Sequence, residues 1–348
     1  MTLMKRRTFG KLVLGTGVAA PFSFVRSAIA QPKPGDELIV GIWGGAQERI
    51  VREFVEPALV EKYGCKVSYV LGGTGERRAR AYAERGRPSF DVIYLNIYES
   101  RQAVTDGVTQ APTDAVENAQ YLYPLAKMGG YGVAFNPATI IYKTDKASAP
   151  ITSWKDLFND EWKGRFAVPQ VPGMEGMAAL LMLAKTYGGD EFNIDVGFDK
   201  LKELKPFAAV QTSAENAWQM FEQDIADITV EFGSLANIAK DSTLPGITIA
   251  DPTEGICAAM NVACITTGTQ NQVLAEEWIN LHLSEPCMQA YMRQTYYSPT
   301  VNNVVIPDDL KDKILTPEQM ERLVSFDWEH IASKQSEWSS RFTREIAG

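Results

Sequence analysis

Residues 38–71 read LIVGIWGGAQERIVREFVEPALVEKYGCKVSYVL, and the change of hydrophobic period inside this stretch decides the fold class. Leu38, Ile39 and Val40 are a short continuous apolar run, as a buried strand requires. From Ala46 the period becomes helical. Ile50, Val51, Phe54, Val55, Ala58 and Leu59 fall on one face of a helix that runs to about Lys62, with Gly64 placed to close it. Pro57 interrupts that pattern and predicts a kink or a second start, because proline cannot donate the i→i−4 bond. Val67 to Leu71 then return to a strand. Strand, helix and strand in succession are the signature of an α/β protein.

The alternation continues outward from there. Gly75 to Gly86 reads as a charged helix, Phe90 to Leu95 as a third strand, and Tyr131 to Tyr142 as one extended segment. A second α/β unit follows, with a helix near Met174 to Tyr187 stopped by Gly188-Gly189, a strand at Phe207 to Val210 and a further strand at Ile228 to Val230. Thr212 and Glu215 stand at capping-box spacing before a helix from Ala214. Ile256 to Ile265 is strand-like and would return the chain to the first lobe, so two crossings between lobes are expected. Trp328, Ile331, Trp338 and Phe342 predict a terminal amphipathic helix.

Residues 1–30 read as an export signal. Lys5, Arg6 and Arg7 precede an apolar run from Leu12 to Phe24, and Ala28-Ile29-Ala30 forms the A-x-A cleavage pattern, so the mature chain would begin at Gln31 in the periplasm. Arg6-Arg7-Thr8-Phe9-Gly10-Lys11 resembles the twin-arginine signal, which implies export after folding; an ordinary signal with an accidental arginine pair is the alternative. Beyond residue 30 the chain holds 29 basic and 43 acidic residues, a net charge of −14, which excludes nucleic acid as a partner by repulsion of its phosphates. The length suits two lobes. Cys65, Cys257, Cys264 and Cys287 form no C-x-x-C pair and are expected as free buried thiols, although an oxidising compartment would permit a disulfide. His282 and His330 are the only histidines, and neither neighbours a second metal ligand. No G-x-S-x-G, H-E-x-x-H, P-loop or dinucleotide fingerprint is present, so neither an enzyme nor a cofactor is expected. An exported enzyme and an adhesion or scaffold module remain as readings of other classes.

Ser153 to Pro169, SWKDLFNDEWKGRFAVP, resembles the interdomain signature of periplasmic solute-binding proteins of ABC importers, spermidine/putrescine-binding type. IWGGAQERIVREFVEP at Ile42, FDVIYLN at Phe90, YGVAFNP at Tyr131, YYSPTVNN at Tyr296 and the terminal DWEHIASKQSEWSSRFTREI resemble further segments of the family in the same order. The resemblance implies a two-lobed α/β periplasmic binding protein fold with two interlobe crossovers and C-terminal helices. The first lobe would hold residues 31–132 and 262–300, the second 133–261, and a helical segment 301–348. It also implies a monomer that closes on a small-molecule ligand and delivers it to ABC permease membrane subunits.

The ligand implied is a small amine or zwitterion, polyamine-like, but the matching positions differ. GICAAMNVACI puts Ala259 and Asn261 where the polyamine binders carry a tryptophan and an acid, and the first turn is Trp43-Gly44-Gly45. Bare helix amides suit an anion, so a phosphonate or carboxylate ligand stays open. So does ferric iron, although Glu231-Phe232 stands where iron-binding relatives carry paired tyrosines. Glu231, within ITVEFGS, is the candidate partner for a ligand cation; a solvated loop residue or a lobe-to-lobe salt bridge are its other readings. The candidate ligand-binding residues are Trp43, Gly44, Gly45, Gly73, Thr74, Asn96, Tyr98, Thr212, Glu231 and Asn261. For Trp43, Tyr94 and Tyr98 core or rim packing is the alternative.

Overall fold

The first sheet begins with β1 (Glu37–Ile42), whose carboxyl end runs through the Trp43-Gly44-Gly45 turn into α1 (Ala46–Phe54). Pro57 starts a second helix, α2 (Glu56–Tyr63), at the helical position where its missing N–H costs nothing, and Gly64 ends that helix at φ 65° with its N–H on the Val60 carbonyl. β2 (Lys66–Leu71), α3 (Thr74–Ala83), β3 (Val92–Asn96) and α4 (Ile97–Thr105) complete the parallel part of the lobe. This is a computed structural model describing residues 31–348; the stretch read as an export signal, with its arginine pair, lies outside the described residues.

The extended segment read from Tyr131 to Tyr142 is two strands in different sheets. β4 (Tyr131–Phe135) stays in the first lobe and β5 (Ala138–Lys143) enters the second, parted by Asn136-Pro137, where proline has no N–H to continue a ladder. The first lobe therefore extends to Phe135 rather than to residue 132. The second lobe runs β6 (Phe166–Pro169), α5 (Met174–Thr186), α6 (Asp195–Glu203), β7 (Ala209–Gln211), α7 (Ala214–Glu222), β8 (Ile228–Phe232), α8 (Gly233–Ser242) and β9 (Ile247–Ile249), with strand order β7-β6-β8-β5-β9. The cap of α7 is Ser213, one residue beyond Thr212. Ser213 has extended backbone, so its hydroxyl can accept the Asn216 N–H at 3.2 Å, while Asn216 Oδ1 accepts the Thr212 N–H at 3.1 Å.

The chain returns through β10 (Met260–Ile265), antiparallel between β3 and β4, which gives the first sheet the order β2-β1-β3-β10-β4. Residues 256–259, expected within this strand, make only isolated bridges at Cys257, to Ala138 and Val324, because they span the gap between sheets. Buried Trp154 anchors this second crossover, donating Nε1–H to the Gly255 carbonyl at 2.9 Å. Gly255 itself has φ 95°, and a Cβ there would lie 2.7 Å from Val324, so only glycine fits. α9 (Gln272–His282) and α10 (Glu285–Thr295) cover the first sheet, and α11 (Pro317–Glu321) precedes α12 (Trp328–Phe342). Trp328, Ile331, Trp338 and Phe342 are all buried, as their spacing required. α12 packs on α4 of the first lobe, and Glu345 just beyond it pairs with Lys202 of α6 in the second at 2.9 Å, so the C-terminus ties the lobes together. All four cysteines are free and buried. No helix among the described residues is long and apolar enough to cross a membrane.

Candidate functional site

A cleft of about 410 Å³ opens between the lobes at the carboxyl ends of β1, β3, β6 and β8, where open α/β sheets leave a crevice between diverging connections. Trp43, Gln47, Thr74, Asn96, Tyr98 and Asn261 border it from the first lobe. Pro172 to Glu175 and Phe232 border it from the second, and Asn136, Ala259 and Tyr297 stand beside the crossovers.

Trp43 is a fixed platform. Its indole N–H donates to Thr74 Oγ1 at 3.0 Å, which joins the turn after β1 to the turn after β2. The Arg77 guanidinium lies 4.6 Å from the ring centroid, and Tyr94 meets the ring edge-on at 6.3 Å. Arg77 is buried and donates to the carbonyls of Tyr94, at 3.0 and 3.2 Å, and Gly72. Burial pulls it down to about 10, offset in part by the charge of Glu99. Gly45 and Gly73 cap α1 and α3 without any side-chain bond, which leaves first-turn amides unclaimed by side chains, yet Gly44, Gly45 and Gly73 do not border the cleft themselves. Asn96 caps α4, with its N–H on the Glu99 carboxylate at 3.3 Å. Asn261 donates to Gln47 Oε1 at 3.0 Å. Burial raises the Tyr98 phenol to about 12, so it is a neutral donor in the cleft wall. Tyr94 belongs to the core, where its hydroxyl accepts from Trp278 Nε1 at 2.9 Å and bonds His282 Nδ1 at 2.7 Å.

Glu231 is neither in a solvated loop nor in a salt bridge. It is the penultimate residue of β8, fully buried, with Oε1 accepting the Phe232 N–H at 2.8 Å and Oε2 accepting Gln211 Nε2–H at 2.6 Å. The Thr229 hydroxyl holds the other end of that amide. Glu231 does not border the cleft; half-buried Glu175, in the first turn of α5, does, and it lines a neighbouring hollow together with Gln211, the side chain that donates to Glu231. Burial first, and the neighbouring Glu175 second, push Glu231 well above the usual carboxylate range; burial also raises Glu175. Thr212 faces a separate hollow of about 250 Å³, which shares Pro172, Gly173 and Glu175 with the cleft.

Sequence reasoning missed Gln47, Asn136, Glu175, Phe232 and Tyr297. An acid in the first turn of a helix is ordinary complement to the helix dipole, so Glu175 gave no signal. Tyr296 and Tyr297 point apart. Tyr296, at φ 55°, turns its hydroxyl to Asp241 at 2.5 Å, while Tyr297 faces the cleft and stacks on Tyr291. No cluster of three His, Cys, Asp or Glu suited to a metal occurs among the described residues.

No curated protein matches the sequence. Among solved structures, an ABC transporter protein from Clostridium perfringens superposes with a TM-score of 0.80 at 21% identity, covering 89% of this chain and 99% of that one. The GABA receptor Atu4243 superposes with a TM-score of 0.73 at 18% identity over 90% of this chain and 98% of its own. The spermidine/putrescine substrate-binding protein PotD of Streptococcus pneumoniae gives 0.70 at 18% identity over 90% and 100%. These likenesses show the two-lobed fold, and residues 56–318 match the family of bacterial extracellular solute-binding proteins. With that match across a chain whose two α/β lobes enclose a cleft at their strand ends, the protein belongs to the bacterial extracellular solute-binding proteins, the solute-capturing components of ABC transporters.

Proposed function

We propose that this chain captures a small amine or zwitterionic organic solute between its lobes in the periplasm and hands it to the membrane subunits of an ABC importer. The observation that carries this reading is the Glu175 carboxylate on the second-lobe wall of the cleft, to which no basic side chain is bonded among the described residues. An ammonium that loses its hydration when the lobes close needs such a carboxylate. Trp43 supplies an aromatic face opposite. The solute's other end meets Thr74, Asn96 and Asn261, beside the uncapped first turns of α1 and α3. In this reading Glu175 touches the solute, and fully buried Glu231 does not.

Two relatives of this fold carry names that point to amines, GABA and spermidine/putrescine. The uncapped α1 and α3 turns also favour an anionic solute, and a sugar phosphate occupies the relative AfuA. A thermal-shift panel of 4-aminobutyrate, putrescine, amino acids, phosphonates and ferric iron separates the two. Saturation at about 100 times Kd adds roughly 2.7 kcal/mol of stability. Stabilisation by amines that Glu175→Gln abolishes supports the proposal. Stabilisation by phosphonates alone, unchanged in Glu175→Gln, refutes it in favour of the anion.

A further inference from the structure

Glu175 is the one charged residue among those that border the cleft, and four aromatic side chains border it as well: Trp43 and Tyr98 from the first lobe, Phe232 from the second and Tyr297 beside the crossovers. All four are half-buried, so each keeps surface to offer a solute. Each is also held in place. Trp43 is fixed by Thr74 at its N–H and by Arg77 against one face, and Tyr98 stands in the first turn of α4. The Phe232 N–H is pinned to the Glu231 side chain at 2.8 Å, and Tyr297 stacks on Tyr291 with ring centroids 6.2 Å apart. Ile97, Pro172, Met174 and Ala259 add apolar surface to the same walls. Neutral oxygens at the cleft are already engaged: Thr74 Oγ1 accepts from Trp43 at 3.0 Å, Gln47 Oε1 from Asn261 at 3.0 Å and Asn136 Oδ1 from the Ser234 hydroxyl at 2.5 Å. A primary ammonium brings three N–H donors that are costly to bury without acceptors. A diamine brings a second charge, and no second carboxylate borders the cleft to meet it. A quaternary ammonium has no N–H to satisfy, and aromatic faces attract its charge through their quadrupoles.

We propose that Trp43, Tyr98, Phe232 and Tyr297 form an aromatic cage for a fully N-methylated ammonium, with Glu175 as its counter-charge, so that the solute is a compact quaternary ammonium compound of betaine or choline type. The inference rests on the amine or zwitterion reading of the cleft and narrows it. The cage is shared between the lobes, with Phe232 and Glu175 on one side and Trp43 and Tyr98 on the other. Closing the lobes therefore completes it and excludes the water that would screen the charge. A cavity of about 410 Å³ suits a small organic cation. Specificity follows from the engaged acceptors: each methyl removed from the nitrogen exposes an N–H that the cage cannot pair, so affinity rises with each methyl added.

Calorimetry of the wild-type protein with glycine and its mono-, di- and trimethylated forms, and with ethanolamine against choline, varies the methyl count alone and needs no variant to fold. Affinity should climb along each series, to about tenfold or more for the trimethylated member over its unmethylated parent. tert-Butylacetate, the carbon isostere of trimethylglycine, should bind more weakly by a similar factor, because shape without charge gains nothing from the rings or from Glu175. Phe232→Leu keeps apolar bulk and removes a ring, so it should weaken the trimethylated solute about 5- to 30-fold, while Phe232→Tyr, which keeps a ring, should hold it. Ethanolamine, 4-aminobutyrate or putrescine binding more tightly than choline and trimethylglycine overturns the cage and spares the amine reading. Unchanged affinity for the trimethylated solute in a folded Phe232→Leu protein does the same. tert-Butylacetate binding as tightly as trimethylglycine, or the failure of every cation, primary or quaternary, to bind, overturns both.

Discussion

Gly176 sits in the first turns of α5, one residue after Glu175, and a Gly176→Ala substitution sets helix propensity against packing. Alanine is favoured over glycine inside a helix by about 1 kcal/mol. The added Cβ, however, would lie 2.5 Å from the Gln170 carbonyl oxygen, 2.6 Å from its carbon and 2.8 Å from the Pro169 oxygen. All three are backbone, and the Gln170 carbonyl is already held by the Gly173 N–H at 2.9 Å, so no flexible side-chain end can swing aside. α5 cannot retreat either, since residues 176–184 are buried. Overpacking costs about 1–3 kcal/mol, and contacts this close to backbone that cannot yield belong in the upper part of that range, about 2–3 kcal/mol, which outweighs the propensity gain and leaves a net loss of roughly 1–2 kcal/mol. Tm should fall by about 2–6 °C. The strained turn carries Pro172, Gly173 and Glu175, so solute affinity should fall as well. The control is Gly75→Ala in α3, where a Cβ meets nothing within 4 Å and the same propensity term should hold or raise Tm. Melting curves of both variants decide the matter. A Gly176→Ala protein as stable as wild type would refute the steric argument.

The remaining expectations are simpler. Burial raises the thiols of Cys65, Cys257, Cys264 and Cys287, so a thiol reagent should label none of them in the native protein and all four after unfolding; rapid native labelling would contradict the packing. His282 is buried neutral, pushed by desolvation from 6.5 to about 3. As pH falls below 6.5 the unfolded chain binds a proton that the folded one refuses, so stability drops with acid. Replacing His282 with Asn should flatten the decline of Tm between pH ~6.5 and ~5, whatever it does to stability at neutral pH, and an unchanged slope would exonerate the imidazole. Lysine at both Arg6 and Arg7 should leave the protein in the cytoplasm; unchanged periplasmic protein on fractionation would reduce the segment to an ordinary secretory signal.

The periodicities of residues 38–71, the break at Pro57, the stop at Gly64 and the buried face of Trp328, Ile331, Trp338 and Phe342 were legible in the sequence, because each depends on neighbours within a few residues. So was the α/β class, and Trp43, Thr74, Asn96, Tyr98 and Asn261 do meet at one cleft, since strand-to-helix turns converge at the same edge of a sheet. The partition of Tyr131 to Tyr142 between two sheets was not legible, since an extended run looks the same whether one sheet or two will pair with it. Nor was the placement of two glutamates 56 positions apart, Glu175 at the cleft and Glu231 fully buried. Ile228 to Glu231 are all buried, so β8 has no alternation to show which way Glu231 faces. Glu175 looks like any acid opening a helix until folding brings α5 against β8 and places one carboxyl at the cleft with the other behind it. Which charges a buried group must live with is a long-range property, and only the tertiary structure decided it.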